Sequence, residues 1–229
     1  TDFAPDVVIN TAAMTMVDDC ETQRDQCWQL NVTAVEQIVR LCKTFGSRLI
    51  HLSTDFIFDG ELGPYAENAR PNPLSYYGRS KLASENVIRS LQPNQWVIVR
   101  TVLVYGIGLK LTRPNIATWL IRQLDMQKPV KLVTDQWRTP TYVHDLADGI
   151  ERLIRFRKSG VWNLSGREMM TVYDFGKTIA RTLGYDEGLI SPTDSSGFIQ
   201  PAKRPLKTGL LILKAESEIG YKPHTIPKN

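Results

Sequence analysis

Cysteine is scarce in this sequence: three among 229 residues, Cys20, Cys27 and Cys42. They form no C-x-x-C pair and have no histidine at ligand spacing beside them. That excludes a disulfide-stapled scaffold and a thiolate metal site, and it fits buried, reduced thiols. No metal ligands are read from the sequence. Long apolar runs are also missing, so no membrane span is expected. No signal-peptide pattern opens the chain, and the expected location is the cytoplasm. Charge of one sign is not concentrated either. Lys and Arg number 28 against 24 Asp and Glu, a formal net charge of +4, with no basic block interleaved with aromatics. This argues against nucleic acid as a partner and leaves an anionic small molecule welcome. The last absence concerns glycine. Fifteen are present, yet none builds the G-x-G-x-x-G turn that holds a pyrophosphate at a helix N-terminus.

What is present alternates between strand-like and helix-like patterns. Val7-Val8-Ile9-Asn10 is a short apolar run of the buried parallel-strand kind. Cys20 to Phe45 reads as one helical stretch, with Trp28, Val32, Val35, Val39 and Cys42 at helical spacing and Gly46 as its stop. Arg48 to Ser53 is a second strand, Asp59 to Pro73 a turn-rich segment, Leu74 to Leu91 a helix and Trp96 to Thr101 a third strand. This β-α-β-α-β order predicts the α/β class: a Rossmann-like, doubly wound parallel sheet with helices on both faces. Further on, helices are expected over Ile116–Gln127, Val143–Phe156 and from a Thr171 cap through Leu183, with strands at Val130–Val133 and Val161–Leu164. Residues 1–110 are read as the C-terminal part of a dinucleotide-binding domain. Residues 111–229 are read mainly as a small substrate-binding region, with some segments returning to the main sheet. Because the glycine-rich loop is missing, Thr1 is expected to fall near the fourth strand of such a sheet, after two βαβ units of roughly 60 residues in all.

The chemistry centres on Tyr77 and Lys81, four residues apart in Ser75-Tyr76-Tyr77-Gly78-Arg79-Ser80-Lys81. That spacing stacks both side chains on one helix face. A phenol with a pKa near 10 is a poor acid at neutral pH, and a neighbouring ammonium is expected to lower it. Alone the spacing is a weak signal, since a surface lysine beside a half-buried tyrosine produces it too. Its setting is more informative. Ser53-Thr54-Asp55 closes the second strand at its carboxyl end, where open α/β sheets bind ligands. Asn10-Thr11-Ala12-Ala13 ends the first strand with small residues that let a cofactor approach the backbone. Asn31 is polar within an apolar helix face, either a satisfied buried amide or a group beside Lys81. Trp137 and Arg138 either cover a ligand or pack a loop. His51 is read as core, His144 as a surface group, and Trp28, Trp96, Trp119 and Trp162 as packing.

Taken in order, Asn10–Ala13, Leu30-Asn31-Val32, Leu52-Ser53-Thr54-Asp55-Phe56-Ile57-Phe58-Asp59-Gly60, Pro73 to Leu82, and Arg100-Thr101-Val102-Leu103-Val104-Tyr105-Gly106 resemble the extended short-chain dehydrogenase/reductases. Within them the chain is most similar to the dTDP-4-dehydrorhamnose reductases of dTDP-L-rhamnose biosynthesis. The resemblance implies an NADP- or NAD-dependent oxidoreductase acting on a nucleotide-sugar substrate. Tyr77 would be the proton donor to the keto oxygen, Lys81 the holder of the nicotinamide ribose, and Thr54 the group orienting the carbonyl. Asn31 would support a proton relay. Ala12, Ala13 and Thr15, with Tyr77 and Lys81, would line the cofactor. Thr54, Asp55, Leu103 and Arg204 would face the substrate, Arg204 toward a phosphate. Two positions depart from the family pattern: Leu103 stands where a tryptophan is frequent and Phe56 where a tyrosine is common. Both leave room for another keto-sugar. A homodimer is carried as the candidate assembly. The alternatives are a non-catalytic regulatory subunit like the methionine adenosyltransferase beta subunit, and a sugar-nucleotide epimerase or dehydratase, for which Asp55 is the one obvious extra acid/base.

Overall fold

In the computed structural model, which describes residues 3–108, 113–198 and 200–226, the apolar runs become parallel strands. The expected domain boundary at 110/111 and the outermost chain positions lie outside those residues. β1 (Val7–Asn10) is followed by α1 (Val17–Thr22), α2 (Arg24–Trp28), a π-helical turn (Gln29–Thr33) and α3 (Ala34–Phe45). The stretch read as one helix from Cys20 to Phe45 is thus divided. Gln23, with φ −117° and ψ 56°, leaves helical geometry. The π turn widens the backbone around Asn31, whose amide is held by the Met14 backbone. Such bulges occur mostly as single turns, frequently at functional sites.

β2 (Arg48–Thr54) runs into a 3-10 turn (Asp55–Ile57), and α4 (Tyr76–Ile88) leads to β3 (Trp96–Thr101). There follow β4 (Val104–Tyr105), α5 (Ile116–Asp125), β5 (Val130–Val133), β6 (Trp137–Arg138), β7 (Thr141–Tyr142) and α6 (Val143–Arg155). The chain then forms β8 (Gly160–Asn163), β9 (Met170–Thr171), α7 (Val172–Thr182), β10 (Ile190–Thr193) and α8 (Leu213–Ile219). The main sheet has the order β1-β2-β3-β8, all parallel, with Leu49 opposite Trp96 and Thr54 opposite Thr101. A separate parallel pair, β10-β5, lies beside α5 and α7. Among the described residues no helix is long and apolar enough to cross a membrane.

Strand side chains alternate between faces, and here both faces are covered. Ile50, Val97 and Val99 pack against Leu146, Ile150 and Leu153 of α6, with Trp162 and Tyr221. Leu49 and Ile98 pack against Val35, Val39 and Cys42 of α3, with Ile88 and Leu91. Double coverage explains why β2 and β3 read as continuous apolar runs rather than alternating ones. β1 departs from its expected burial. Among the described residues it pairs only with β2, and Ile9 is 46% exposed.

Candidate active site

Polar side chains that would be costly to bury alone gather at the carboxyl ends of β1, β2 and β3. Asn10, His51, Ser53, Thr54, Asp55, Arg100 and Thr101 are all buried there. α4 crosses this end at close range. Ser75 caps it by accepting the Gly78 N–H at 3.1 Å. Gly78 has no alternative, since a β-carbon there would collide with the Phe56 carbonyl oxygen. The missing side chain lets α4 lie against the turn after β2, which brings Tyr77 to Thr54.

Tyr77 is 8% exposed, with its ring edge-on to Phe56 at 5.9 Å between centroids. Burial pushes its phenol above the ordinary range; a hydrogen bond with Thr54 opposes this, and Asp55, Cys20 and Cys27 add to it. The ammonium expected to lower it is directed elsewhere. Lys81, one turn on and 2% exposed, donates to the Leu52 carbonyl at 2.7 Å and lies 3.1 Å from His51 Nε2. Burial lowers the Lys81 pKa to about 8, against the upward pull of Glu85 and Cys27. Near neutral pH the phenol keeps its proton and the amine carries a charge that is easily lost.

Thr54 donates to Asp55 Oδ1 at 3.1 Å and accepts the Phe56 N–H at 3.2 Å. Asp55 is fully engaged: Thr208 donates to Oδ2, and Arg138 Nε lies 3.8 Å away. Burial raises its pKa, while Arg138, Thr208 and Thr54 oppose the rise. Asn31 is buried and saturated. It accepts the Met14 N–H at 2.8 Å and donates to the Met14 carbonyl at 3.1 Å and to Ser80 at 2.9 Å. Its amide pins the segment after β1, and Met14 packs on the Cys20, Cys27 and Tyr77 cluster. Ala12 and Thr15 in that segment are exposed and Ala13 half-buried, a shelf of small side chains flanking Met14.

A cavity of about 350 Å³ opens next to this constellation and brings together three of the expected substrate-side residues, Asp55, Leu103 and Arg204. Leu103 holds a left-handed backbone at φ 40°, uncommon for a residue with a β-carbon. Arg204 is already paired, its two terminal nitrogens 3.0 and 2.6 Å from the Asp18 carboxylate. That guanidinium holds the Asp18 carboxyl below its usual range. Arg138 also lines the cavity, 5.6 Å from the Phe56 ring centre, and bonds the Pro205 and Leu206 carbonyls. His144 lies apart, beside a second, apolar cavity with Tyr105, Tyr142 and Phe175.

The profile of the RmlD substrate binding domain matches residues 1–228. The chain belongs to that family. It is 34% identical over 208 residues to a dTDP-4-keto-6-deoxy-D-glucose reductase of Streptomyces niveus, spanning 90% of this chain and 70% of that protein. Among solved structures it is similar to a dTDP-4-dehydrorhamnose reductase of Clostridium acetobutylicum, at 35% identity and TM-score 0.84, covering 90% of this chain and 72% of that one. It is also similar to the Bacillus anthracis dTDP-4-dehydrorhamnose reductase in complex with NADP, at 29% identity and TM-score 0.86, covering 92% and 73%.

Several residues of this RmlD-family site escape a reading of the sequence. Trp119, expected to be packing, lines the cavity and is 37% exposed. The signal was available: the buried stripe of α5 is Ala117, Leu120 and Leu124, and Trp119 falls off it. Gln136 and Phe198 line the same cavity. Glu85 and Arg100 form a buried pair at 2.8 Å that also receives Ser53 Oγ at 2.7 Å. Their signal was a carboxylate on a helix face that carries Lys81, facing an arginine inside an apolar strand.

Proposed function

We propose that this chain reduces a nucleotide-linked 4-keto sugar at the expense of NADPH or NADH, in the manner of the dTDP-4-dehydrorhamnose reductases. The observation that carries the reading is the buried Tyr77 phenol, one turn from Lys81 and packed edge-on to Phe56, beside a cavity lined by Asp55, Phe56, Leu103 and Arg204. The cofactor fits the residues present: Ala12, Ala13 and Thr15 put small side chains on either side of Met14, which packs on the Tyr77 cluster, and Lys81 supplies a cation for ribose hydroxyls. When bound, the nicotinamide supplies hydride to the keto carbon.

The protein's part is positioning and proton transfer. Thr54 orients the carbonyl through the same hydroxyl that meets Tyr77. Tyr77 gives its phenolic proton to the keto oxygen, and the Lys81 charge balances the phenolate left behind. Asn31 acts by holding the Met14 backbone, and hence the shelf. Arg204 brings a cation to the substrate's diphosphate, with Asp18 fixing its fork. Residues up to about 110 would serve the cofactor, and those beyond it mainly the sugar nucleotide. The engaged Asp55 favours reduction over dehydration or epimerisation. A carboxylate already bound by Thr208, Thr54 and Arg138 is poorly placed to abstract a proton.

The test is turnover by the full chain with NADPH or NADH and a panel of dTDP- and GDP-linked 4-keto sugars. Stoichiometric cofactor oxidation with formation of the alcohol is expected, led by dTDP-linked substrates. No oxidation with any of them, together with tight association with another enzyme, would place the chain with regulatory subunits instead. A pH dependence follows as well. Burial brings loss of the Lys81 proton down from 10.5 to about 8. Since kcat/KM reports ionisations of the free enzyme, it should be level below that value and fall as pH rises through it. A profile flat to about pH 10, the unperturbed lysine range, would contradict the role given to the ammonium.

A further inference from the structure

His51 has no exposed surface, yet both ring nitrogens meet polar partners. Asn10 Nδ2 lies 3.0 Å from Nδ1, while Ser84 Oγ and Lys81 Nζ each lie 3.1 Å from Nε2. The Asn10 amide is not free to turn over, because its oxygen accepts the Ala12 N–H at 3.1 Å. Its NH2 therefore faces the ring, Nδ1 must offer a lone pair, and the ring proton resides on Nε2. Ser84 spends its own proton on the Lys81 carbonyl at 2.7 Å, so its oxygen can accept from Nε2–H. The lysine nitrogen thus faces a ring nitrogen that has a hydrogen and no lone pair. An ammonium is opposed there; an uncharged amine, with a lone pair of its own, is accommodated.

We propose that His51 is a positioning residue for Lys81: the tautomer imposed by Asn10 aims an N–H at the lysine nitrogen and loosens its hold on a proton. In the catalytic cycle, which rests on the reductase reading, the ammonium surrenders that proton to the site where Tyr77 has become a phenolate. The amine left behind accepts the His51 N–H until water returns a proton to it. His51 itself stays uncharged, held well below its ordinary pKa by burial and by the Lys81 charge. The other ionisable groups around the pair are Cys27 from α2, Tyr77 and Glu85 from α4, and Arg100 from β3, whose charge Glu85 neutralises. Asn31 does not substitute for His51, since its amide is consumed by Met14 and Ser80.

The deciding experiment is imidazole nitrogen NMR on the full chain across a pH series, with only three histidines to resolve. The wild-type ring should show the Nε2–H tautomer, and its Nε2 resonance should move with a midpoint near 8 as Lys81 titrates. In Asn10→Asp the new carboxylate still accepts the Ala12 N–H but can only accept at the ring. The ring proton then moves to Nδ1, and the Lys81 midpoint and the alkaline limb of kcat/KM both rise by about one pH unit. In Asn10→Asp with His51→Leu, most of the rise in the limb should vanish. His51→Gln, which offers the ammonium an oxygen, should raise it again. A wild-type ring protonated on Nδ1 or on both nitrogens would overturn the proposal. So would a tautomer switch that leaves Lys81 unmoved, or a rise that persists in full without His51. If the NMR behaviour holds but no keto sugar is turned over, the coupling stands and the reductase reading falls.

Discussion

Replacing Tyr77 by phenylalanine should lower kcat by about a hundredfold to ten-thousandfold, the range for one general acid, while leaving the fold in place. The ring keeps its contacts with Phe56, Cys20, Cys27 and Met14, because only the hydroxyl is removed. Thr54 loses the phenol but still donates to Asp55 and accepts from Phe56, so no buried polar group is orphaned. What disappears is the proton itself. Burial keeps the phenol protonated well beyond neutral pH, so the wild-type donor is loaded whenever substrate arrives. Steady-state kinetics and thermal melting measured together separate the two effects. A melting point near wild type with severely reduced turnover is expected. Turnover within a few-fold of wild type would remove Tyr77 from the mechanism.

The shared helix face of Tyr77 and Lys81 was legible because it depends on one local rule, while a role for the pair needed the strand ends and motifs around it. Residues four apart on a helix share a face whatever packs against them, so Tyr77 and Lys81 could be matched without knowing the sheet. The strands were legible for a similar reason. Leu49 and Ile50, or Val97, Ile98 and Val99, are apolar in unbroken runs because both sheet faces are covered, and a strand with one wet face would alternate instead. What stayed hidden is pairing across the sequence. Asn31 finds Met14 through backbone atoms 17 residues away, which no side-chain pattern encodes. Lys81 meets His51 from 30 residues away, and only the register of α4 over β2 brings them together. Arg204 is separated from Asp18 by 186 positions, so its fork was visible but its partner was not.

The same long-range pairing gives the largest expected loss of stability. Glu85→Ala should destabilise the protein by about 3–5 kcal/mol, the penalty for leaving a buried charge without its partner. Arg100 is 2% exposed; two of its nitrogens bond Glu85, at 3.0 and 2.8 Å, and a third reaches the Glu67 carbonyl at 2.9 Å. Without Glu85 the guanidinium keeps one carbonyl and the Phe58 ring at 5.4 Å. Ser53 loses the acceptor for its hydroxyl at the same time. Arg89, 3.7 Å from the same carboxylate but 42% exposed, can turn to solvent and adds little. Denaturant unfolding of Glu85→Ala, and of Glu85→Leu combined with Arg100→Met, isolates the cause. If the unpaired charge is responsible, the double replacement should recover most of the loss, since apolar residues of similar volume leave no charge buried without a partner, and only the Ser53 hydroxyl and the Glu67 carbonyl go without theirs. A double variant no better than Glu85→Ala would assign the loss to packing instead. The milder Glu85→Gln ties this pair to the chemistry. Glu85 pulls the Lys81 pKa upward, so removing its charge lets burial act with less opposition. The alkaline limb of kcat/KM should then fall below about 8, opposite in direction to the shift expected for Asn10→Asp.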